Sequence, residues 1–146
     1  MDTITLEKDL RVIGKPVPDF PNGIKEAFDS LVDILPGGFE GRPYYGLSYM
    51  DGDKVVYHAT AHEITDDEAT RYNQTAYTIP KGDYLAVTIK QWHSKIDSIG
   101  LTFHSLMADK RADLSTPCVE WYKNDDEMVC MVRVKENVTV ANTVDH

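Results

Sequence analysis

The sequence predicts a single α+β domain, residues 1–146, built from two related halves. A chain of 146 residues with 42% hydrophobic content suits one globular domain with a real core. Each half gives the same order of patterns, which is a strand, an amphipathic helix and a β-hairpin. The halves, about 1–63 and 75–135, are each too small to cover a sheet face alone. We therefore expect them to share one core, with a ligand cleft where they meet.

The first half opens with a predicted strand over residues 4–17, which several prolines end. A helix of about three turns follows, because apolar residues recur at helical spacing before Pro36-Gly37-Gly38. Its stripe consists of Ile24, Phe28, Leu31 and Leu35. Two apolar runs, 42–49 and 54–60, flank Asp51-Gly52, which is a strong two-residue turn signal. They form the first predicted hairpin.

A polar, acidic segment over residues 64–74 is predicted to connect the halves. Residues 75–89 then predict extended structure with a bend at Pro80-Lys81-Gly82. A second helix follows, in which Ser94 and Asp97 have the spacing of a capping box. Its apolar stripe consists of Trp92, Ile96, Ile99, Phe103 and Met107.

The second hairpin follows a polar loop over residues 108–117 and places a carboxylate among apolar neighbours. Strand alternation puts Cys118, Glu120 and Tyr122 on one face. A two-residue loop at Asp125-Asp126 then predicts that Glu120 lies opposite Met131 and diagonal to Arg133. Near the end of the chain, Val138-Thr139-Val140 are candidates for a further short strand.

The two hairpins superpose at a constant offset, which indicates an internal duplication. Pro43 and Pro117 are 74 residues apart, and so are Asp51 and Asp125. Under this offset Gly46 is the counterpart of Glu120.

Composition excludes several classes of function. The net charge is −9 and the chain lacks a run of Lys or Arg, so we expect no direct binding of nucleic acid. Residues 1–11 lack a signal-peptide core and no apolar run could span a bilayer, which predicts a cytoplasmic protein without a membrane contact. His58 and His62 lie on a predicted strand without a convincing third ligand, so we expect no metal and no cofactor. Cys118 and Cys130 are predicted to be reduced and to point to opposite faces.

Two stretches carry a family resemblance. Ile79-Pro80-Lys81-Gly82-Asp83-Tyr84 resembles a strand entry of the GyrI-like small-molecule-binding domain, and 117–122 resembles its Pro-x-x-Glu-x-Tyr strand. The same module binds effectors in AraC-type and BmrR-type transcription regulators of bacteria, and this chain resembles the stand-alone form. The resemblance implies two βαββ-like modules that form one antiparallel sheet with two helices.

The resemblance also implies a function. In that family, the glutamate of this strand faces an aromatic pocket and engages lipophilic cations, as in multidrug binding. By position, the resemblance implies the same role for Glu120, and Tyr122 matches the tyrosine of the family. Trp92, Tyr45 and Phe103 are the candidate walls. The competing interpretation is that Glu120 pairs with Arg133 on the neighbouring strand.

Two further functions stay open at this point. Some members of the family hydrolyse strained, cyclopropane-bearing natural products with an active-site glutamate, which would make Glu120 a catalytic residue. The family namesake inhibits DNA gyrase by binding it, which would make this chain a protein-interaction module. The primary expectation remains a hydrophobic small-molecule ligand and a binding protein, not an enzyme.

Overall fold

A computed structural model describes residues 1–135, which form one curled antiparallel sheet of eight strands with helices. The α+β class expected from the sequence is confirmed. The strands are β1 (Asp2–Leu6), β2 (Leu10–Pro16), β3 (Tyr44–Asp51), β4 (Lys54–His62), β5 (Thr75–Ile79), β6 (Gly82–Lys90), β7 (Cys118–Tyr122) and β8 (Glu127–Arg133). The helices are α1 (Ile24–Ile34), α2 (Glu68–Arg71) and α3 (Ile96–Ala108).

The order of the strands displays the duplication. The sheet runs β1-β6-β8-β7-β3-β4-β2-β5. The counterparts in the two halves are β1 and β5, β2 and β6, β3 and β7, and β4 and β8. If each strand is exchanged for its counterpart, the same order results when the sheet is read from its other edge. β3 and β7 lie side by side at the centre, so the two halves meet there.

Each half holds one more strand than the sequence predicted. The single strand expected over 4–17 is two strands, because β1 pairs with β6 while β2 pairs with β4 and β5. The extended run over 75–89 is likewise divided at Pro80-Lys81 into β5 and β6, which belong to opposite ends of the sheet. Each half thus lends its first strand to the other half, a long-range exchange that local periodicity cannot reveal.

The second helix begins later than its stripe suggested. Trp92–Ser94 form a short 3₁₀ turn, and α3 starts at Ile96. The expected capping box is wrong, because no side chain caps α3 and the Ser94 hydroxyl donates to the carbonyl of Gln91 instead.

The connector between the halves is more ordered than its polar composition implied. It contains the short helix α2, whose Glu68 is buried. Both carboxylate oxygens of Glu68 accept hydrogen bonds from the buried guanidinium of Arg42, at 2.8 and 2.9 Å. Arg42 also donates to the carbonyls of Pro36 and His62, so this ion pair ties the segment after α1 to the end of β4.

The second hairpin is shifted by one residue from the predicted register. Glu120 pairs with Cys130, and Met131 pairs with Val119. The reason lies in the turn, where the Asn124 side chain accepts the backbone N–H groups of Asp126 and Glu127. The loop is therefore longer than two residues, and a shift of one residue moves side chains to the other face.

The two faces of the sheet have different coverings. One face buries a cluster that includes Tyr45, Leu47 and Val119. The opposite face carries α1, whose Leu31 is buried, and α3, whose Leu106 is buried. The space between α1 and α3 lies over the central strands β3 and β7.

Two expectations concern the limits of the chain. The candidate strand at 138–140 lies outside the described residues. Within residues 1–135, no helix has both the length and the apolar character needed to cross a membrane.

Candidate functional site

The site is centred on Glu120 of β7, which projects from the middle of the sheet into the space between α1 and α3. Its cross-strand neighbour on β3 is Gly46. Side chains two residues apart on a strand share a face, so Tyr122 lies on the same face as Glu120. Tyr57 of β4 lies on this face as well, because it pairs with Ser48, which is two residues after Gly46 on β3.

Two phenols hold one oxygen of the Glu120 carboxylate. The Tyr57 hydroxyl donates to Oε1 at 2.6 Å, and the Tyr122 hydroxyl donates to the same atom at 2.7 Å. The two hydroxyl oxygens are 3.2 Å apart. Among residues 1–135 no hydrogen bond reaches Oε2.

Gly46 makes this arrangement possible. A Cβ atom at this position would lie 2.0 Å from the Tyr57 hydroxyl oxygen and 2.6 Å from Oε1 of Glu120. Both distances are below van der Waals contact, so any larger residue would separate the phenol from the carboxylate.

The ionisation of the three groups is coupled. Burial raises the pKa of Glu120, while hydrogen bonds from Tyr57 and Tyr122 oppose that shift because they favour the charged carboxylate. Burial also raises the pKa of both tyrosines, and the nearby negative charge of Glu120 raises it further. The phenols therefore stay protonated and act as donors.

An open cleft of about 1410 Å³ extends from Glu120 between the helices. On the α1 side, Phe20 stacks on Tyr57 with ring centroids 5.0 Å apart, and Phe28 meets Tyr122 edge to face at 5.0 Å. On the α3 side, the Trp92 ring also meets Tyr122 edge to face, with ring centroids 5.3 Å apart. The carboxylate thus lies between two aromatic walls.

Charged residues around the cleft are mostly acidic. Besides Glu120, the lining includes four carboxylates: Glu26, Asp29, Asp113 and Asp125. Lys25, the one lysine among the described lining residues, pairs with Asp29 at 2.7 Å, and Asp113 pairs with Arg133. Within residues 1–135, Glu26, Glu120 and Asp125 are therefore the lining carboxylates that have no ion pair. The cleft therefore favours cations over anions.

The structure brings four of the five candidate residues together. Glu120, Tyr122, Trp92 and Phe103 all line the cleft. Tyr45 does not, because it projects to the opposite face and is buried there with Leu47 and Val119. A residue and its neighbour along a strand cannot share a face, so the adjacent position, Gly46, faces the cleft instead.

The competing ion pair does not form in this register. Glu120 pairs with Cys130, so Arg133 projects from the opposite face. There the Arg133 guanidinium donates to the Lys81 carbonyl and lies 3.4 Å from a carboxylate oxygen of Asp113.

Sequence reasoning missed three contributors to the site. Tyr57 was not among the candidates, Phe28 was placed only in the apolar stripe of the first helix, and Phe20 lies in a proline-rich segment without periodicity. The register of the first hairpin could have identified Tyr57, because it pairs Tyr57 with Ser48. Ser48 is two residues after Gly46 on the central strand β3, so Tyr57 lies on the same face as Gly46.

The two cysteines are also placed differently than expected. Because Cys130 pairs with Glu120, Cys118 and Cys130 share the cleft face. Both are free thiols, and burial raises the pKa of Cys118 to about 11 and that of Cys130 to about 12. They are therefore neutral and poorly nucleophilic near pH 7. Within residues 1–135, no cluster of three or more His, Cys, Asp or Glu side chains could hold a metal ion.

The sequence matches no family model and no curated protein. Several solved structures share its fold. SAV2435 bound to tetraphenylphosphonium is 13% identical, covers 94% of this chain and 95% of its own, and has a TM-score of 0.62. The EcmrR C-terminal domain is 17% identical, with 92% and 96% covered and a TM-score of 0.62. A hydrolase from Listeria innocua is 13% identical, with 92% and 91% covered and a TM-score of 0.56.

At these identities the likeness establishes the fold, and it spans nearly the whole of each chain. The strand order, the cleft between two helices and these neighbours lead to one conclusion: the chain has the fold shared by SAV2435 and the EcmrR C-terminal domain, which is the fold that the resemblance to the GyrI-like domain implied.

Proposed function

We propose that this protein binds hydrophobic organic cations in the cleft between α1 and α3, with Glu120 as the residue that recognises the charge. One observation carries the proposal: the Glu120 carboxylate lies between aromatic walls and is held through Oε1 by two phenols, and within residues 1–135 its Oε2 accepts no hydrogen bond from the protein.

The electrostatics favour a large, delocalised cation. A small, strongly hydrated ion would lose more solvation in this apolar site than one carboxylate returns. An organic cation carries little bound water, and the aromatic faces of Trp92, Phe20 and Phe28 add cation–π attraction and apolar contact. The acidic rim raises the local concentration of cations further.

The comparison with SAV2435 supports this ligand class. That protein has the same fold and is bound to tetraphenylphosphonium, a hydrophobic cation with a delocalised aromatic exterior. Tetraphenylphosphonium is therefore the first probe for this cleft.

A direct test uses two ions of the same shape and opposite charge, tetraphenylphosphonium and tetraphenylborate. We expect calorimetric titration to show binding of the cation only. Glu120→Gln should lower the affinity for the cation about tenfold or more, equivalent to about 1.4 kcal/mol, because glutamine keeps the shape of the side chain without its charge. Equal affinity of the two ions, or an unchanged affinity in the variant, would refute the assignment.

A matched control is available on the rim. Glu26 is exposed and lines the mouth of the cleft. Glu26→Gln removes the same charge in a solvated position, where screening is strong, so we expect an effect much smaller than that of Glu120→Gln.

A second candidate function is hydrolysis of strained, electrophilic molecules. Two observations favour it: a hydrolase shares the fold, and burial raises the pKa of Glu120, which suits a general base that activates water. Incubation with cyclopropane-bearing alkylators followed by mass spectrometry separates the two functions. A product heavier by one water that is absent with Glu120→Gln would establish turnover, whereas recovery of intact compound would leave binding alone.

A further inference from the structure

The face of α3 that lines the cleft is apolar along its whole length except for a gap at its centre. Its lining residues fall at helical spacing: Ile96, Ile99, Gly100, Phe103 and Met107. Gly100 lies in the middle of this stripe, between Ile96 one turn before it and Phe103 one turn after it.

A glycine inside a helix needs an explanation, because it destabilises the helix relative to alanine. The usual explanation is close packing that leaves no room for a Cβ atom, as at Gly46. At Gly100 that explanation fails, since a Cβ built there has no heavy atom within 4 Å outside the helix's own backbone and the adjoining residues. Nothing within the described part of the protein fills the space above Gly100.

We propose that Gly100 is a specificity-determining residue whose missing side chain forms a notch in the α3 wall for a ring-sized group of the bound cation. This inference rests on the proposed function and specifies the ligand class: a cation that carries a bulky aryl group close to its charge. The notch is bordered by apolar side chains, which suits a phenyl ring and does not suit a polar group.

The geometry of the cleft explains why such a notch is useful. Trp92 and Phe103 line the cleft on the α3 side. Phe20 and Phe28 line it on the α1 side, where they contact the tyrosines that hold the Glu120 carboxylate. A cation centred on Glu120 with aryl groups in several directions must place one of them against α3. A side chain at position 100 would occupy that volume.

The test compares tetraphenylphosphonium with methyltriphenylphosphonium, which can turn its methyl group toward a filled notch. Gly100→Leu should lower the affinity for tetraphenylphosphonium about fivefold or more, as expected for overpacking. It should lower the affinity for methyltriphenylphosphonium by a smaller factor. Gly100→Ala should change the ratio of the two affinities in the same direction by a smaller factor. It should also raise the unfolding midpoint, because alanine favours the helix and meets no obstacle.

Ser105→Ala is the matched control, since Ser105 is an exposed residue of α3 outside the cleft lining. It should leave both affinities unchanged. If the parent binds both cations and the ratio of their affinities stays the same in both Gly100 variants, or both cations weaken equally, the notch is refuted while cation binding stands. If the parent binds neither cation, the proposed function fails and the notch with it.

Discussion

Gly46 and Glu120 face each other across the two central strands, and they are also equivalent positions of the internal duplication, 74 residues apart. The pseudo-twofold axis of the sheet therefore passes between them. Two carboxylates at this point would repel one another in a buried setting. The duplication is broken where the site requires it, with the acid on one strand and, on the other, a glycine whose missing side chain leaves room for the Tyr57 hydroxyl.

Replacing Gly46 tests this relationship. We expect Gly46→Ala to reduce cation affinity and to destabilise the fold by about 1–3 kcal/mol, because the new Cβ overlaps the buried ring of Tyr57 and separates it from Glu120. Urea unfolding and titration with tetraphenylphosphonium measure the two effects.

Gly41→Ala is the control for this change. A Cβ at position 41 would meet only the Pro36 carbonyl oxygen, at 3.5 Å, which is ordinary contact. We expect little change in stability or affinity. Similar losses in both variants would mean that Gly46 has no special relation to the Tyr57–Glu120 contact.

The two phenols predict a specific pH dependence of binding. Cation binding requires the ionised carboxylate, so affinity should fall as the pH drops through the pKa of Glu120. Tyr57→Phe removes one donor to the charged form while keeping the ring stacked on Phe20, so the pKa of Glu120 should rise further. The pH at which half the affinity is lost should move upward, as measured by titration over a range of pH.

Tyr49→Phe is the comparison for this experiment. Tyr49 borders the cleft, but its side chain is on the sheet face of Tyr45 and Leu47, where its hydroxyl lies 3.3 Å from a ring nitrogen of His58 and not on Glu120. Its pH profile should match that of the parent. A Tyr57→Phe profile that also matches the parent would show that the phenol does not set the ionisation of Glu120.

The sequence predicted those parts of the fold that depend on local patterns. Apolar spacing placed α1, and Asp51-Gly52 placed the first hairpin. The exchange of β1 and β5 between the halves was not predictable in this way, because their partners lie far away in sequence.

The site was predictable for the same local reasons and failed for the same nonlocal ones. Strand alternation correctly placed Glu120 and Tyr122 on one face. Tyr45 was misplaced although the 74-residue offset makes Gly46 the counterpart of Glu120, because the same offset matches Tyr45 to Val119, whose side chain points to the opposite face. Tyr57 was missed because its contact with Glu120 spans 63 residues of sequence.

The buried ion pair between Arg42 and Glu68 should make the largest contribution to the decrease in folding stability at low pH. Hydrogen bonds from Arg42, with further donation from the Ile64 and Thr65 amides, lower the pKa of Glu68 from 4.5 to about 2 despite its burial. A carboxyl whose pKa is depressed in the folded state adds stability above its unfolded pKa, so this contribution is lost as the pH falls from about 4.5 toward 2.

Glu68→Gln should destabilise the protein by about 3–5 kcal/mol near pH 7, since it leaves the guanidinium of Arg42 buried without its counter-ion. The difference from the parent should narrow on acidification. Asp67→Asn removes the adjacent but exposed partner of Arg71 and should change the stability far less, because solvent screens this pair. Equal urea midpoints for the Glu68 and Asp67 variants would contradict this ranking.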